Sequence, residues 1–443
     1  MKFSGWGRFP VHEAEPLWPF NGRDVLALQS GATGLIARGN GRAYGDAAIG
    51  TRQTLLTGRL ARMMAFDPDT GLLTVEAGTL LTDIIETFLP RGYFPLVVPG
   101  TRYVSVGGML ASDVHGKNHH LVGGFGDSVE GFTLALPDGG LAHCSRSENA
   151  ELFHATLGGM GLTGTVLDAT FRLVPVETGW ITQQTLVAAN LSEAICLLGA
   201  ESPLPYSVAW IDCLARGASL GRSLVYRGEH ASAAYLADQC RGAQPWPALR
   251  RSRLSVPFDA PGVALSRHVV AAFNEVYYRA GAAQAAAPRL VPWHSYFFPL
   301  DHVLHWNRLY GRRGFVQHQC VIPSSAAEST LHDILDRIAR RGSASFLAVL
   351  KKLGPGSGWL SFPVDGYTLA LDLKFEPDLL AFLDEIDERV VAAGGRLYLA
   401  KDARQSRTTF EAGYPAVERF RSLRRALGAS SRLESVQSRR LGL

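Results

Sequence analysis

At 443 residues, 47% hydrophobic and 19% charged, the chain has the composition of a soluble globular protein long enough for two or three domains, each with a core of its own. A net charge of +4, scattered along the sequence, argues against nucleic acid as the main partner; it is compatible with anionic small molecules or a weak attraction to an acidic membrane surface. No apolar run of about 18 residues is present to span a bilayer, and the N-terminus MKFSGWGR has neither a signal-peptide core nor a twin-arginine pair, so a cytoplasmic protein with at most peripheral contact at the inner membrane is expected.

In chain order, the first informative stretch is Arg38–Asp46 (RGNGRAYGD). Glycines bunched in this way let backbone approach a ligand closely, and successive amide N–H groups in a tight turn bind anions. Leu72 to Ala77 reads as a strand, and Leu81, Ile84, Ile85, Phe88 and Leu89 fall at helical spacing until Pro90 and Gly92 stop them. Phe94 to Val98 is a short apolar run closed by Pro99 and Gly100. A second glycine stretch follows, Gly107–His120 (GGMLASDVHGKNHH), and then a third, Gly158–Gly164 (GGMGLTG). Three such turns separated by apolar segments imply one long cofactor lying across several loops, with a pyrophosphate as its anion.

The third stretch matches the G-x-G-x-x-G dinucleotide fingerprint at Gly159, Gly161 and Gly164, but that motif needs a strand before it and a helix after it. The order here is reversed. Glu151–Leu157 reads as a helix, and Thr165 to Val174 alternates as a half-buried strand. A Rossmann-type NAD site is therefore not expected.

From about Glu177 the glycine clusters thin out and aromatic residues gather, among them Trp293, Tyr296, Phe297, Phe298, Trp306 and Tyr310. Arg241–Gly262, rich in proline and arginine, and Ala280–Pro288 read as loops. A helix stripe of Leu331, Ile334, Leu335 and Ile338 is closed by Gly342; a second helix runs from Glu376 to Ala393, with an acidic start and a glycine pair after it. Between them lie the strands Phe346–Lys351 and Tyr367–Lys374. Leu397–Asp402 reads as a strand ending on a charged pair. The five cysteines, Cys144, Cys196, Cys213, Cys240 and Cys320, are widely spaced and form no C-x-x-C, so reduced thiols are expected. His115, His119 and His120 lack a carboxylate or cysteine at ligand spacing, and no metal is expected.

Taken together, these motifs resemble the flavoprotein family of vanillyl-alcohol oxidase and p-cresol methylhydroxylase, and within it the polyprenylphosphoryl-ribose 2′-oxidase branch. The resemblance covers nearly the whole chain, from Gly5–Arg8 through the glycine stretches, Pro299–Asp301, Trp306–Arg308, Gly314–Gln319, Phe346–Lys351 and Ser361–Pro363 to Gly395–Asp402. The glycine loops mark the superfamily; HGKNHH at His115–His120 and YLAKD at Tyr398–Asp402 are more specific to the branch.

The resemblance implies an α+β fold of two domains: an FAD-binding domain at 1–177, a sheet-covered substrate domain at 178–395, and a C-terminal segment at 396–443 that returns to the FAD domain. It implies that the cofactor is held by Arg38, Gly39, Asn40, Gly41, Arg42, Ala43 and Tyr44, by Pro99, Gly100 and Thr101, and by Gly107, Gly108, Ser112, His115, Gly116, Asn118, Gly126, Gly161 and Thr165. Many family members bind FAD covalently through a histidine in the first loop. Arg42 occupies the comparable place and cannot form that bond, so non-covalent FAD is expected.

Lys401 matches the family's active-site lysine. Oxidation of a secondary alcohol requires a base for the hydroxyl proton and a cation near the reduced ring, and a buried lysine can supply both. His115 and Lys117 join it as catalytic candidates, and Gln317, Gln319, Lys351, Thr368, Ala370 and Phe297 as substrate contacts. Blander readings are a strand-end Lys401 paired with Asp402, and a Lys351 whose stem covers apolar surface. Relatives in the branch carry asparagine, cysteine and tyrosine at the positions of Thr368, Ala370 and Phe297, so the sugar or its orientation is open. The implied activity is oxidation of a polyprenylphosphoryl ribose, with a short-chain NAD(P)H-dependent keto-reductase as partner and quinone or oxygen as acceptor. The alternatives are an oxidase of a soluble polyol or aldonolactone, and a flavin-binding partner protein without turnover.

Overall fold

The computed structural model describes residues 1–249, 254–261, 265–343, 345 and 347–443. The first half carries, besides the short hairpin of Lys2–Ser4 and Val11–Glu13, two larger sheets. Strands Glu15–Leu17, Gln53–Leu56 and Leu35–Arg38 form a small parallel sheet with Gln53–Leu56 in the middle. Beside it, an antiparallel sheet runs in the order Leu141–Ser145, Val129–Ala135, Thr165–Pro175, Leu72–Glu76, Met63–Asp67, with Tyr93–Pro95 paired to the far end of Thr165–Pro175. Its buried face (Leu73, Val75, Phe132, Leu134, Ala169, Phe171) packs against the helix Leu81–Phe88 through Ile84, Ile85 and Phe88. The reversed order at the third glycine stretch stands as read from the sequence: helix Ala150–Thr156 enters it and strand Thr165–Pro175 leaves it.

The middle of the chain folds into an eight-stranded antiparallel sheet, ordered Arg289–Pro292, Trp180–Ala188, Ser223–His230, Tyr206–Ile211, Ala348–Leu353, Gly366–Lys374, Phe315–Pro323, Arg396–Leu397. Side chains alternate between its faces. Tyr367, Leu369, Leu371 and Leu373 point to one side, where helices Leu191–Gly199, Ala327–Arg341 and Leu379–Ala392 bury them; Leu331, Ile334, Leu335 and Ile386 belong to the same core. Gly342 ends Ala327–Arg341 in the left-handed region at φ 76°, the helix stop expected of glycine there. The opposite phase, Thr368, Ala370 and Asp372, faces the first half of the chain. Register places Gln319 beside Ala370 and Gln317 beside Asp372 on the neighbouring strand.

Three readings of local structure change. Arg396–Leu397 is the whole of the last strand, because the Lys401 and Asp402 amides both donate to the Tyr398 carbonyl and curl the chain into a turn. The Ala400 carbonyl accepts from the Tyr44 amide (2.9 Å), which ties that turn to the first glycine loop. Ala280–Pro288 is not a loop throughout: a 17-residue helix, Arg267–Ala283, enters it. Of the stretches read as Arg241–Gly262 and Phe346–Lys351, residues 250–253, Gly262 and Phe346 lie outside the described residues; the second strand is described as Ala348–Leu353.

Beyond the turn, the C-terminal segment packs on the first half. Arg424 donates to the carbonyls of Leu162 and Leu433, Arg419 pairs with Glu151, and Leu433 bridges to Leu35. Residues 396–397 thus extend the large sheet, while residues after the turn complete the glycine-rich unit.

Candidate active site

Between the glycine-rich unit and the polar face of the eight-stranded sheet lies a cavity of about 570 Å³. Two glycines of its wall sit where no side chain fits. A Cβ on Gly39 would stand 2.0 Å from the Ser105 hydroxyl; Gly41, at φ +63°, would drive one to 2.5 Å from the Arg38 guanidinium. The first loop is held open from outside: Arg38 donates to the Ser4 carbonyl (2.8 Å) and Asn40 to the Tyr103 carbonyl (2.7 Å). The second glycine stretch is anchored by the buried Asp113, which accepts from the Gly126 amide (2.9 Å) and from the hydroxyls of Ser357 (3.0 Å) and Ser361. That anchor fixes the turn from which His115 and Lys117 project.

Gly39 to Tyr44, Pro99 to Thr101, Gly107, Gly108, Ser112, His115, Gly116 and Gly161 all line this cavity. So do Lys117, Lys401, Gln317, Gln319, Lys351, Thr368, Ala370 and Phe297. Four of the sequence candidates stand outside its wall. Arg38 faces Ser4 and Ala48; Asn118 donates to the Leu96 carbonyl (2.9 Å); Gly126 lies behind Asp113; Thr165 donates to Gln29 (2.6 Å). Each has a hydrogen-bond partner within the protein, Arg38 and Asn118 inside the glycine stretches and Gly126 and Thr165 just beyond them.

The charged groups gather at one end. Lys401 lies over the Tyr44 ring, its Nζ 3.6 Å from the ring centre. Burial lowers its ammonium to about 7, against the opposing pull of Asp372 and together with repulsion from Lys351. Burial likewise lowers Lys117 to about 7 and Lys351 to about 8. Lys117 donates to the Tyr296 carbonyl and lies 4.5 Å from that ring's centre. His115 stands between Gln319 (Nε2, 3.0 Å) and Lys351 (Nδ1, 3.1 Å), and burial, reinforced by Lys351, holds its imidazole well below the usual range, so it is neutral. Asp372 accepts from the Gln317 amide, and burial raises its carboxyl to about 7.

The sequence reading missed Asp372 and Asp301. Asp372 follows Thr368 and Ala370 in the same alternation phase, a signal that was available. Asp301 accepts from the Thr101 hydroxyl (2.8 Å) and the Arg102 amide (2.9 Å), joining the sheet domain to the second glycine region. Only the fold brings those together. The pairing of Lys401 with Asp402 is not formed: Asp402 faces Arg440, Gln437 and the amides of Arg404 and Gln405.

The wall fits FAD on its own chemistry. Backbone of Gly39, Gly41 and Gly107 gives a surface free of side chains, as a pyrophosphate and ring edge require. The buried Arg42 Nε has no hydrogen-bond partner among the described residues, while its guanidinium lies over Trp6 (4.1 Å) and Tyr103 (5.1 Å).

Fold and cavity together define an FAD-dependent oxidoreductase, and residues 26–145 match the family model of an FAD binding domain. Over its full length the chain is 35% identical to decaprenylphosphoryl-β-D-ribose oxidase of Mycolicibacterium smegmatis, covering 97% of that protein. It is 37% identical over 81% of its length to an uncharacterized protein encoded in the mprA 5′ region of Streptomyces coelicolor, and 30% identical over 40% of its length to L-gulonolactone oxidase of mouse. The chain belongs to the decaprenylphosphoryl-β-D-ribose oxidase family of flavoproteins.

Proposed function

We propose that this enzyme oxidises the 2′-hydroxyl of a polyprenylphosphoryl-β-D-ribose, or a close pentose, to the 2′-keto sugar, the first half of an epimerisation to the arabinose donor. The observation that carries the chemistry is the placement of Lys401 on the cavity wall, its Nζ 3.6 Å from the centre of the Tyr44 ring, where burial lowers its ammonium to about 7. The 35% identity over the full chain supports the substrate, whereas similarity to L-gulonolactone oxidase covers only 40% of it. A soluble aldonolactone or polyol is the competing reading.

FAD, held non-covalently with Arg42 at the first loop, supplies a hydride acceptor when bound. The chain's residues manage the proton. Neutral Lys401 takes the hydroxyl proton at the 2′-oxygen, and the ammonium so formed remains as a cation beside Tyr44. Its midpoint near 7 lets one side chain serve as base first and as cation afterwards. Lys117 and Lys351 place positive charge and N–H donors at the sugar and its phosphate; neutral His115, held between Gln319 and Lys351, positions the Lys351 amine. Thr368, Ala370 and Phe297 shape the remaining contact, and the sheet face excludes water.

The keto product requires a separate NAD(P)H-dependent reductase, and the reduced enzyme requires quinone or oxygen. No helix among the described residues is long and apolar enough to cross a membrane. Purified yellow protein mixed anaerobically with farnesylphosphoryl ribose should bleach. Bleaching by free alditols or aldonolactones instead would transfer the assignment to the competing reading.

A further inference from the structure

The helix Arg267–Ala283 has two apolar faces. One packs inward: Val270 is buried, the buried Asn274 donates to Asp212 (2.7 Å), Tyr278 donates to the Ala188 carbonyl (3.2 Å), and Gly281 lies against Leu224. The other points away from the protein. At the i, i+4, i+7, i+11 spacing of a single stripe stand Val269, Phe273, Val276 and Ala280, with Val269, Phe273 and Val276 exposed to 50%, 45% and 69%. An exposed apolar row on a helix already packed on its other side marks a contact surface.

Its position identifies the contact. In angular order around the helix, the stripe is flanked on one edge by His268, Glu275 and Arg279 and on the other by Tyr277. Tyr277 lines the active-site cavity, is 38% exposed, and packs there against Trp210 (ring centres 4.7 Å apart) and Tyr226 (hydroxyls 3.1 Å apart). It also stacks on Phe273, ring centres 5.8 Å apart and planes 25° from parallel. A run of aromatic side chains therefore links the cavity wall, through Trp210, Tyr226 and Tyr277, to Phe273 and the exposed stripe that also holds Val269 and Val276. The inner end is the opposite in character, with Lys117, Lys351 and Lys401. A ligand complementary to both ends has an anionic polar head and a hydrocarbon tail.

Resting on the substrate proposed above, we infer that the polyprenyl chain leaves the cavity over the packed cluster of Trp210, Tyr226 and Tyr277 and lies along the outward stripe Val269–Phe273–Val276 of this helix. The stripe then contributes affinity in proportion to the length of hydrocarbon it covers and takes no part in the chemistry at the sugar.

The test uses full-length, FAD-loaded protein and the double variant Phe273→Gln, Val276→Glu, whose sites are exposed. Anaerobic flavin reduction is followed with farnesylphosphoryl ribose in detergent and with methylphosphoryl ribose. The half-saturating farnesyl concentration should rise roughly tenfold in the variant, with its limiting rate and both constants for the methyl compound unchanged. In parallel, calorimetry with farnesyl phosphate, which has no sugar to oxidise, should show the same loss of affinity. An unchanged preference for farnesyl over methyl, together with unchanged farnesyl phosphate binding, overturns the inference. So does a variant that keeps both but loses sedimentation with phosphatidylglycerol vesicles, or changes from oligomer to monomer, because the stripe then faces a bilayer or a second copy. If neither sugar reduces the flavin while farnesyl phosphate binding still depends on the stripe, the substrate assignment fails and the tail track stands.

Discussion

The ammonium of Lys401 lies 3.6 Å from the centre of the Tyr44 ring, so the C-terminal turn and the first glycine loop meet face to face at the cavity wall. The contact is built from the backbone: the Tyr44 amide donates to the Ala400 carbonyl, one residue before the lysine. A cation against an aromatic face in a dry site gains up to about 2 kcal/mol. That offsets part of the burial cost that lowers Lys401, and it aims the amine into the cavity rather than toward Asp402.

Lys401→Ala should retain FAD, since the glycine wall is untouched, yet anaerobic reduction by substrate should slow by roughly 10²-fold or more, the usual scale for a lost acid–base group. Stopped-flow absorbance at the flavin band measures it; a near wild-type rate would make the lysine structural and turn attention to His115. Asp402→Ala should behave differently. Asp402 holds Arg440, Gln437 and two amides, so its loss should lower the melting temperature and leave the reduction rate of the surviving fold close to normal.

The pH dependence follows from the same lysine. Burial lowers Lys401 to about 7, and the neutral amine is the base, so flavin reduction should climb as pH rises through about 7 and then level off. The nearby Asp372 carboxylate favours the ammonium. Asp372→Asn removes that support, the amine loses its proton more readily, and the acid limb should move to lower pH. A limb that stays in place, or moves upward, contradicts the assignment of Lys401 as base.

Non-covalent FAD is checked directly. Acid precipitation should release the yellow chromophore into the supernatant, since Arg42 offers no nucleophile and lies over Trp6 and Tyr103. A yellow, fluorescent pellet would require a covalent link elsewhere.

How far these features could be read in advance depended on how local their causes are. The strand Tyr367–Lys374 was legible from its own residues, whereas the facing of Thr368 and Ala370 toward the substrate came from the family resemblance, because a strand buried on both faces does not say which face meets the cavity. Asp372 shares that phase, but its role depends on Gln317 and Lys401 arriving from other elements. Arg267–Ala283 escaped notice for a related reason: its apolar residues occupy two faces, so no single stripe stands out against a polar side. The short last strand was overread because its end is set by bonds from the Lys401 and Asp402 amides back to Tyr398 and from the distant Tyr44 amide to Ala400. The resemblance implies that Thr165 and Asn118 hold the cofactor, whereas their hydrogen-bond partners here, Gln29 and the Leu96 carbonyl, are remote in sequence and visible only in the fold.

The last prediction tests the phase of the sheet itself. Ala370 faces the cavity between Gln319 and Val349 on the flanking strands. Its methyl offers no nucleophile, so electrophiles that depend on a thiol at this position should leave wild-type flavin chemistry intact. The protein's own thiols do not confuse the result: Cys144, Cys213 and Cys320 are buried with thiols pushed up to about 12, and Cys196 and Cys240 are exposed away from the cavity wall. Ala370→Cys places a thiol in a cavity that also holds Lys117, Lys351 and Lys401, whose positive charge favours the reactive thiolate. A thiol-directed electrophile small enough to enter should then inactivate the variant with one label at position 370, and bound substrate should slow the labelling. Mass spectrometry of the strand Gly366–Lys374 reads the outcome. Labelling only at Cys196 and Cys240, with activity retained, would mean that Ala370 faces away from the site and that the register of this sheet against the cavity is wrong.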